Sequence, residues 1–112
     1  MSIVKINNKT YEVPELNFAH SKKLEQYGVP LLHLIDTDKI LTIVSAFVAI
    51  VVGVTPEEAD FLIEQHILGG GSIEDIYKAY VDAVSESRFL KRLIENQKKN
   101  VTKKTSKVEQ TE

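Results

Sequence analysis

The chain has 112 residues, 43% of them hydrophobic and 27% charged, which places it among globular proteins with room for one modest core and not two. A formal charge of −2 argues against a protein that holds nucleic acid along its whole surface, and the absence of cysteine excludes disulfides, thiolate nucleophiles, zinc fingers and iron–sulfur clusters. The opening Met1-Ser2-Ile3-Val4-Lys5-Ile6 lacks the basic-then-apolar order of a secretory leader, so a cytoplasmic location is expected.

The charge is unevenly spread. Residues 1–97 carry nine basic and fourteen acidic side chains, a net of −5, and are expected to form a single globular domain. Residues 98–112 carry Lys98, Lys99, Lys103, Lys104 and Lys107 against Glu109 and Glu112, with only Val101 and Val108 as apolar residues. Too few apolar groups are present there to offset the entropy of ordering, so a flexible Lys-rich tail is predicted.

Residues 3–13 are predicted to form a β-hairpin: alternation runs through Ile3 to Asn7, Asn7-Asn8-Lys9 tolerate left-handed turn conformations, and Thr10, Tyr11 and Val13 supply a β-branched and aromatic return strand. Pro14 ends it, and because a lone hairpin is marginal in water its apolar face must rest on something else. Asn17 then caps a helix running to about Tyr27, with Gly28 at the left-handed position beyond its end and Val29 folding back on Leu24.

Residues 39–53 are the most apolar part of the chain. A membrane span needs roughly 20 apolar residues, whereas this run is shorter, is interrupted by Thr42 and Ser45 and is preceded by Asp36, Asp38 and Lys39. The reading is a central helix, apolar all round and surrounded by other elements, with no membrane partner. Thr55-Pro56-Glu57-Glu58 is a capping box with proline at the first helical position, and it opens a helix whose Ala59, Leu62, Ile63, His66 and Ile67 share one stripe. Gly69-Gly70-Gly71 stops that helix. Ser72 caps the next, whose apolar face is Ile73, Ile76, Tyr77, Tyr80, Val81 and Val84. Phe89, Leu90, Leu93 and Ile94 follow Ser85-Glu86-Ser87, either as a bent continuation or as a separate helix. The fold class expected is mainly α (α+β): an N-terminal β-hairpin packed on a bundle of four to five helices.

Chemistry is hard to place on this chain. His20, His33 and His66 lack metal-ligand spacing, and His66 on an apolar stripe reads as a hydrogen-bonded core or interface residue. No Gly-x-Ser-x-Gly elbow occurs. The triple glycine follows a helix and leads into Ser72-Ile73-Glu74, unlike a phosphate loop. A helix-turn-helix reader of DNA would need basic and amide side chains, where the second helix offers Glu74, Asp75 and Asp82 against Lys78. No enzyme, metal, cofactor or nucleic-acid partner is expected. What remains is apolar surface: Tyr77, Tyr80, Phe89, Leu90, Leu93 and Ile94 are a candidate groove for a partner helix or for self-association into a homo-oligomer, set against plain core packing.

Several segments, in order, resemble the tail assembly chaperones of long-tailed bacteriophages and prophages. Residues Ile6 to Phe18 look like the family's I-N-G-K-x-Y-x-V-P-E-L-x-F opening, and Leu24-Glu25-Gln26-Tyr27-Gly28-Val29 is similar to its L-E-x-x-G-V/I helix end. Ala46-Phe47-Val48-Ala49 stands where the family carries R-A-F-x-A, and the glycine run followed by Ile73 resembles its G-G-x-x-x-x-I turn. Asn8 replaces the usual turn glycine, and Ser45 stands where a basic residue is expected. The resemblance spans roughly residues 3–95. It implies a protein of the host bacterial cytoplasm, made with the tail genes, that binds and solubilises the tape measure protein until the major tail protein polymerises around it, without a cofactor. Many such proteins are made in two lengths by a programmed frameshift near the end of the short form. This chain is expected to be the short form, with Lys98-Lys99 or Lys103-Lys104 encoded by the slippery codons, although the tail has no counterpart in the family pattern. A small helical dimeric regulator or antitoxin-like module is the alternative reading.

Overall fold

Asn7 and Asn8 both take positive φ, 53° and 67°, the pair of left-handed residues that a two-residue type I′ turn requires. They join β1 (Ser2–Ile6) to β2 (Lys9–Val13) as an antiparallel hairpin in the register Ile6↔Lys9, Lys5↔Thr10, Val4↔Tyr11 and Ile3↔Glu12. Val4, Ile6 and Val13 are buried on one face, while Ile3, Lys5, Thr10 and Glu12 turn outward. The computed structural model describes residues 2–95; the Lys-rich segment 98–112 predicted as a flexible tail lies outside the described residues, as do the last two residues of the predicted domain.

Helix α1 (Phe18–Gln26) opens with a capping box in which histidine replaces the usual glutamate: the His20 N–H donates to Asn17 Oδ1 (3.2 Å) and the Asn17 N–H donates to His20 Nδ1 (3.1 Å). It closes as the Gly28 reading expects. The Val29 N–H reaches the Leu24 carbonyl (2.7 Å), the Gly28 N–H reaches that of Glu25 (3.1 Å), and Gly28 stands at φ +99°. Two short 3-10 turns, Leu31–His33 and Thr37–Lys39, lead into α2 (Ile40–Val52).

Along α2 the side chains Ile43, Val44, Ala46, Phe47, Val48 and Ala49 are buried, and the helix is flanked by α1, α3 (Pro56–Leu68), α4 (Ile73–Glu86) and β2. The Thr55–Glu58 capping box starts α3, and Ser72 Oγ accepts the Asp75 N–H (3.2 Å) to start α4. β1 rests on α4 and on α3. Together these give the expected hairpin on a helical bundle. No single helix among the described residues is long and apolar enough to cross a membrane; α2 with its leading turn and α3 reach that composition only as a pair, bent by 104°.

The ambiguity after Ser85-Glu86-Ser87 resolves as a break. Ser87 takes extended backbone (φ −77°, ψ 117°), and a separate helical stretch, α5, begins at 88 and is described to 95. The fully buried Ser87 hydroxyl donates to the Leu16 carbonyl (2.6 Å) and accepts the Leu90 N–H (3.0 Å), tying α5 to the segment that follows β2. Beside it, the Arg88 N–H and Nε both reach the Glu15 carboxylate at 3.2 Å, which holds that carboxyl below its usual range. Two turns earlier on α4, the Tyr80 hydroxyl donates to the Leu34 carbonyl (2.7 Å), and burial pushes its phenol above the ordinary value.

Two outcomes are expected. Ser87→Ala leaves both a buried N–H and a buried carbonyl unpaired, so it lowers unfolding stability by about 2–3 kcal/mol in urea denaturation. Burial, and then the charge of Lys23, push the His20 imidazole below its ordinary value. The unfolded chain therefore binds that proton more tightly than the folded one. The stability His20 contributes is complete above the ordinary histidine pKa of about 6.5 and is lost as the pH falls from there through the folded value. His20→Gln keeps a capping acceptor that does not titrate, and flattens this part of a plot of melting temperature against pH.

Candidate interaction surfaces

The six side chains expected to form a partner surface do not share one face. Tyr80 and Leu90 are fully buried, which corrects their assignment: Tyr80 meets Phe47 edge-on (5.4 Å between centroids), and Leu90 lies in the core beside Ser87. The physical reason is that the Ile76–Tyr80–Ala83–Val84 side of α4 is its inner side, packed where α2 and β1 meet the helix. Tyr77 is half-buried and stacked on Tyr80 (6.1 Å), with a buried hydroxyl that has no partner among the described residues. Ile94 is half-buried against the core. Phe89 and Leu93 do border open surface. Phe89 meets the exposed Phe18 of α1 edge-on at 5.9 Å, and Leu93 helps line a groove of about 270 Å³ between α1 and α5 with Phe18, Val29, Leu31 and Leu34.

A second apolar surface was not assigned from the sequence. On α3 the buried stripe is Ala59, Ile63 and His66, with Leu62 half-buried; Ile67, expected on that stripe, is 42% exposed. Directly opposite, at helical spacing, run Glu57, Phe61, Glu64 and Leu68, and here Phe61 is 60% and Leu68 76% exposed. Ser45 of α2 donates a hydrogen bond to Asp60 of α3, and one turn before Ser45 the side chain of Leu41 is 67% exposed. The signal was available: Phe61 and Leu68 fall outside the core stripe, and large apolar residues on an outer face flanked by acids are a pattern in themselves.

The third feature is a slot of about 420 Å³ between the outer edge of β1 and the Gly69-Gly70-Gly71 turn, with Asp75 and Ala79 of α4 along it. His66 holds its end. The Asn7 N–H donates to His66 Nδ1 (2.9 Å), so Nδ1 carries no proton and the neutral ring bears its hydrogen on Nε2. That Nε2–H is buried without a partner among the described residues, an arrangement that costs about 1–3 kcal/mol for a neutral donor. His66 thus is the hydrogen-bonded core residue the sequence indicates, with one donor unmet. Gly71 covers it: a Cβ there would stand 2.3 Å from Nε2.

The remaining polar contacts are local. His33 Nδ1 and Asp36 Oδ2 are 2.8 Å apart, and this bond is the main reason the Asp36 carboxyl sits below its usual range. Among the described residues no group of three or more histidine, aspartate or glutamate side chains is placed to hold a metal ion. Compared with family models, with curated proteins and with solved structures, the chain matches none.

Gly71→Ala is expected to force either the His66 ring or the turn aside, at a cost of about 1–3 kcal/mol, and to shift the Asn7 amide resonance. Gly53→Ala meets no neighbour within 4 Å and strains only a backbone at φ +84°; it lowers the melting temperature without moving the Asn7 amide.

Proposed function

We propose that this chain is a tail assembly chaperone of the kind found in long-tailed phages and prophages, binding the tape measure protein and keeping it soluble until the major tail protein assembles around it. One observation carries the reading: Phe61, between Glu57 and Glu64, and Leu68, one turn beyond Glu64, stand exposed on the outer side of α3, opposite the stripe that builds the core. Such side chains add nothing to the interior of this domain. A helical client with apolar residues seven apart and basic residues beside them fits that stripe, and each large side chain buried on binding contributes about 1.5–3 kcal/mol. The ordered likeness of residues 3–95 to the family supports the same reading. At the position where the family carries a basic residue, Ser45 instead bonds Asp60, so the α2–α3 contact here is neutral at one end and acidic at the other.

The test is co-expression with the tape measure protein of the same genome. The chain is expected to raise the soluble fraction of the client several-fold, and Phe61→Ser with Leu68→Ser is expected to abolish that gain while leaving the melting temperature of the chain within a few degrees. Unchanged client solubility in the presence of the wild-type chain overturns the proposal; full activity of the double variant overturns the assignment of the binding stripe to α3.

A further inference from the structure

The slot beside β1 has a chemistry of its own. In a hairpin that closes on the Ile6–Lys9 pair, alternate residues of β1 commit their main-chain groups to β2, and the residues between aim theirs away from it. The N–H and C=O of Ile3 and Lys5 therefore point outward, and neither residue's outward groups have a partner among the described residues. Asn7, the next residue in that series, already donates outward to His66 Nδ1, so the direction of the edge is fixed by an observed bond. Along one strand edge the outward groups recur about every 6.8 Å, a spacing matched by the main chain of another extended polypeptide.

We propose that this slot takes a short extended segment of another polypeptide as a third strand beside β1. A volume of about 420 Å³, with the glycine turn along it, admits one short strand and not the hairpin with supporting helices that a second copy of this chain would bring. Charge defines the segment further. Lys5 stands exposed on the outer face of the hairpin, so the residue laid beside it is acidic; Ala79 and Asp75 line the α4 side, so the residues turned that way are small and carry no negative charge. This inference stands apart from the chaperone reading, since it concerns the opposite side of α3 and requires no tail protein.

The experiment is an amide-resonance titration of the full-length, isotope-labelled chain with the acetylated and amidated peptide Val-Ala-Glu-Ala-Val. Saturable shifts are expected at Ile3, Lys5, Gly70 and Gly71. Replacing the peptide's glutamate by lysine is expected to weaken binding by about two- to fivefold, the scale of one cross-strand charge pair, and methylating its central amide nitrogen to weaken it further. Lys5→Pro removes an outward donor that the β1–β2 ladder does not use, and is expected to weaken binding by about five- to tenfold, the scale of one lost hydrogen bond. Thr10→Pro makes the same change on the opposite edge and leaves binding unaltered. Ala79→Leu fills the slot and abolishes binding, which keeps the test decisive if Lys5→Pro fails to fold. The proposal is overturned if no saturable shifts occur, if they fall away from β1, or if they survive Ala79→Leu. Concentration-dependent shifts at Ile3 and Lys5 without peptide overturn it as well, because they assign the edge to a second copy.

Discussion

Burying α2 is the constraint that places everything else. Its residues Ile43, Val44 and Ala46 to Ala49 are inaccessible, so apolar surface faces several directions at once and no single neighbour can cover it. Helices α1, α3 and α4 and strand β2 each supply one flank, and Leu41 at the start of the helix stays open. The many β-branched residues of α2 are poor helix formers in isolation, each costing a few tenths of a kcal/mol against better formers, and tertiary packing outweighs that cost. The hairpin gains by the same contact, because a two-stranded ribbon needs a surface to rest on.

Around that helix, side-chain to main-chain hydrogen bonds over long sequence distances hold the irregular segments. Tyr80 takes the carbonyl of Leu34, 46 residues away; Ser87 takes that of Leu16, 71 residues away; His66 takes the N–H of Asn7, 59 residues away. Each satisfies a main-chain group that no strand or helix ladder uses, and the Tyr80 and Ser87 bonds do so in the buried interior. They also define the register of the packing. Apolar contacts alone tolerate sliding by a fraction of a turn, whereas these bonds fix which turn of α4 meets the 3-10 segment and where α5 starts.

Local chemistry was legible in the sequence, and partnership at a distance was not. Asn7-Asn8, the Gly28 helix end, the Thr55 capping box and the Ser72 cap act within six residues of chain, and each forms the structure its residues prescribe. The apolar faces of α4 and α5 were legible as faces, but periodicity does not say which of their residues turn to the core, so Tyr80 of α4 and Leu90 of α5 read as surface candidates although both lie in the core. The break at Ser87 was open for a related reason. A serine between two apolar helical stretches is a bend or a cap depending on whether a distant carbonyl is there to receive its hydroxyl, and Leu16 is that carbonyl. His66 read correctly as a bonded core residue from its place on the stripe, while its partner in the hairpin turn had no local signature.

Helix α3 therefore joins two kinds of unmet interaction through one element. Its inner side ends in His66, with a donor that has no partner among the described residues at the mouth of an open strand edge; its outer side carries Phe61 between Glu57 and Glu64, and Leu68 one turn beyond. Both arrangements cost the isolated chain something, since an orphan donor lacks its hydrogen bond and exposed aromatic surface invites indiscriminate contact. The acids limit the second cost: Glu57 and Glu64 lie on the same stripe as Phe61 and Leu68, so two copies meeting stripe to stripe bring like charges together, while a basic amphipathic helix meets attraction along the same line. If this surface takes the proposed client, its selectivity comes from the sign of the flanking charge and not from the shape of a pocket. On the chaperone reading that is the economical arrangement, because one stripe must serve many similar turns of a long helical client while discriminating against itself.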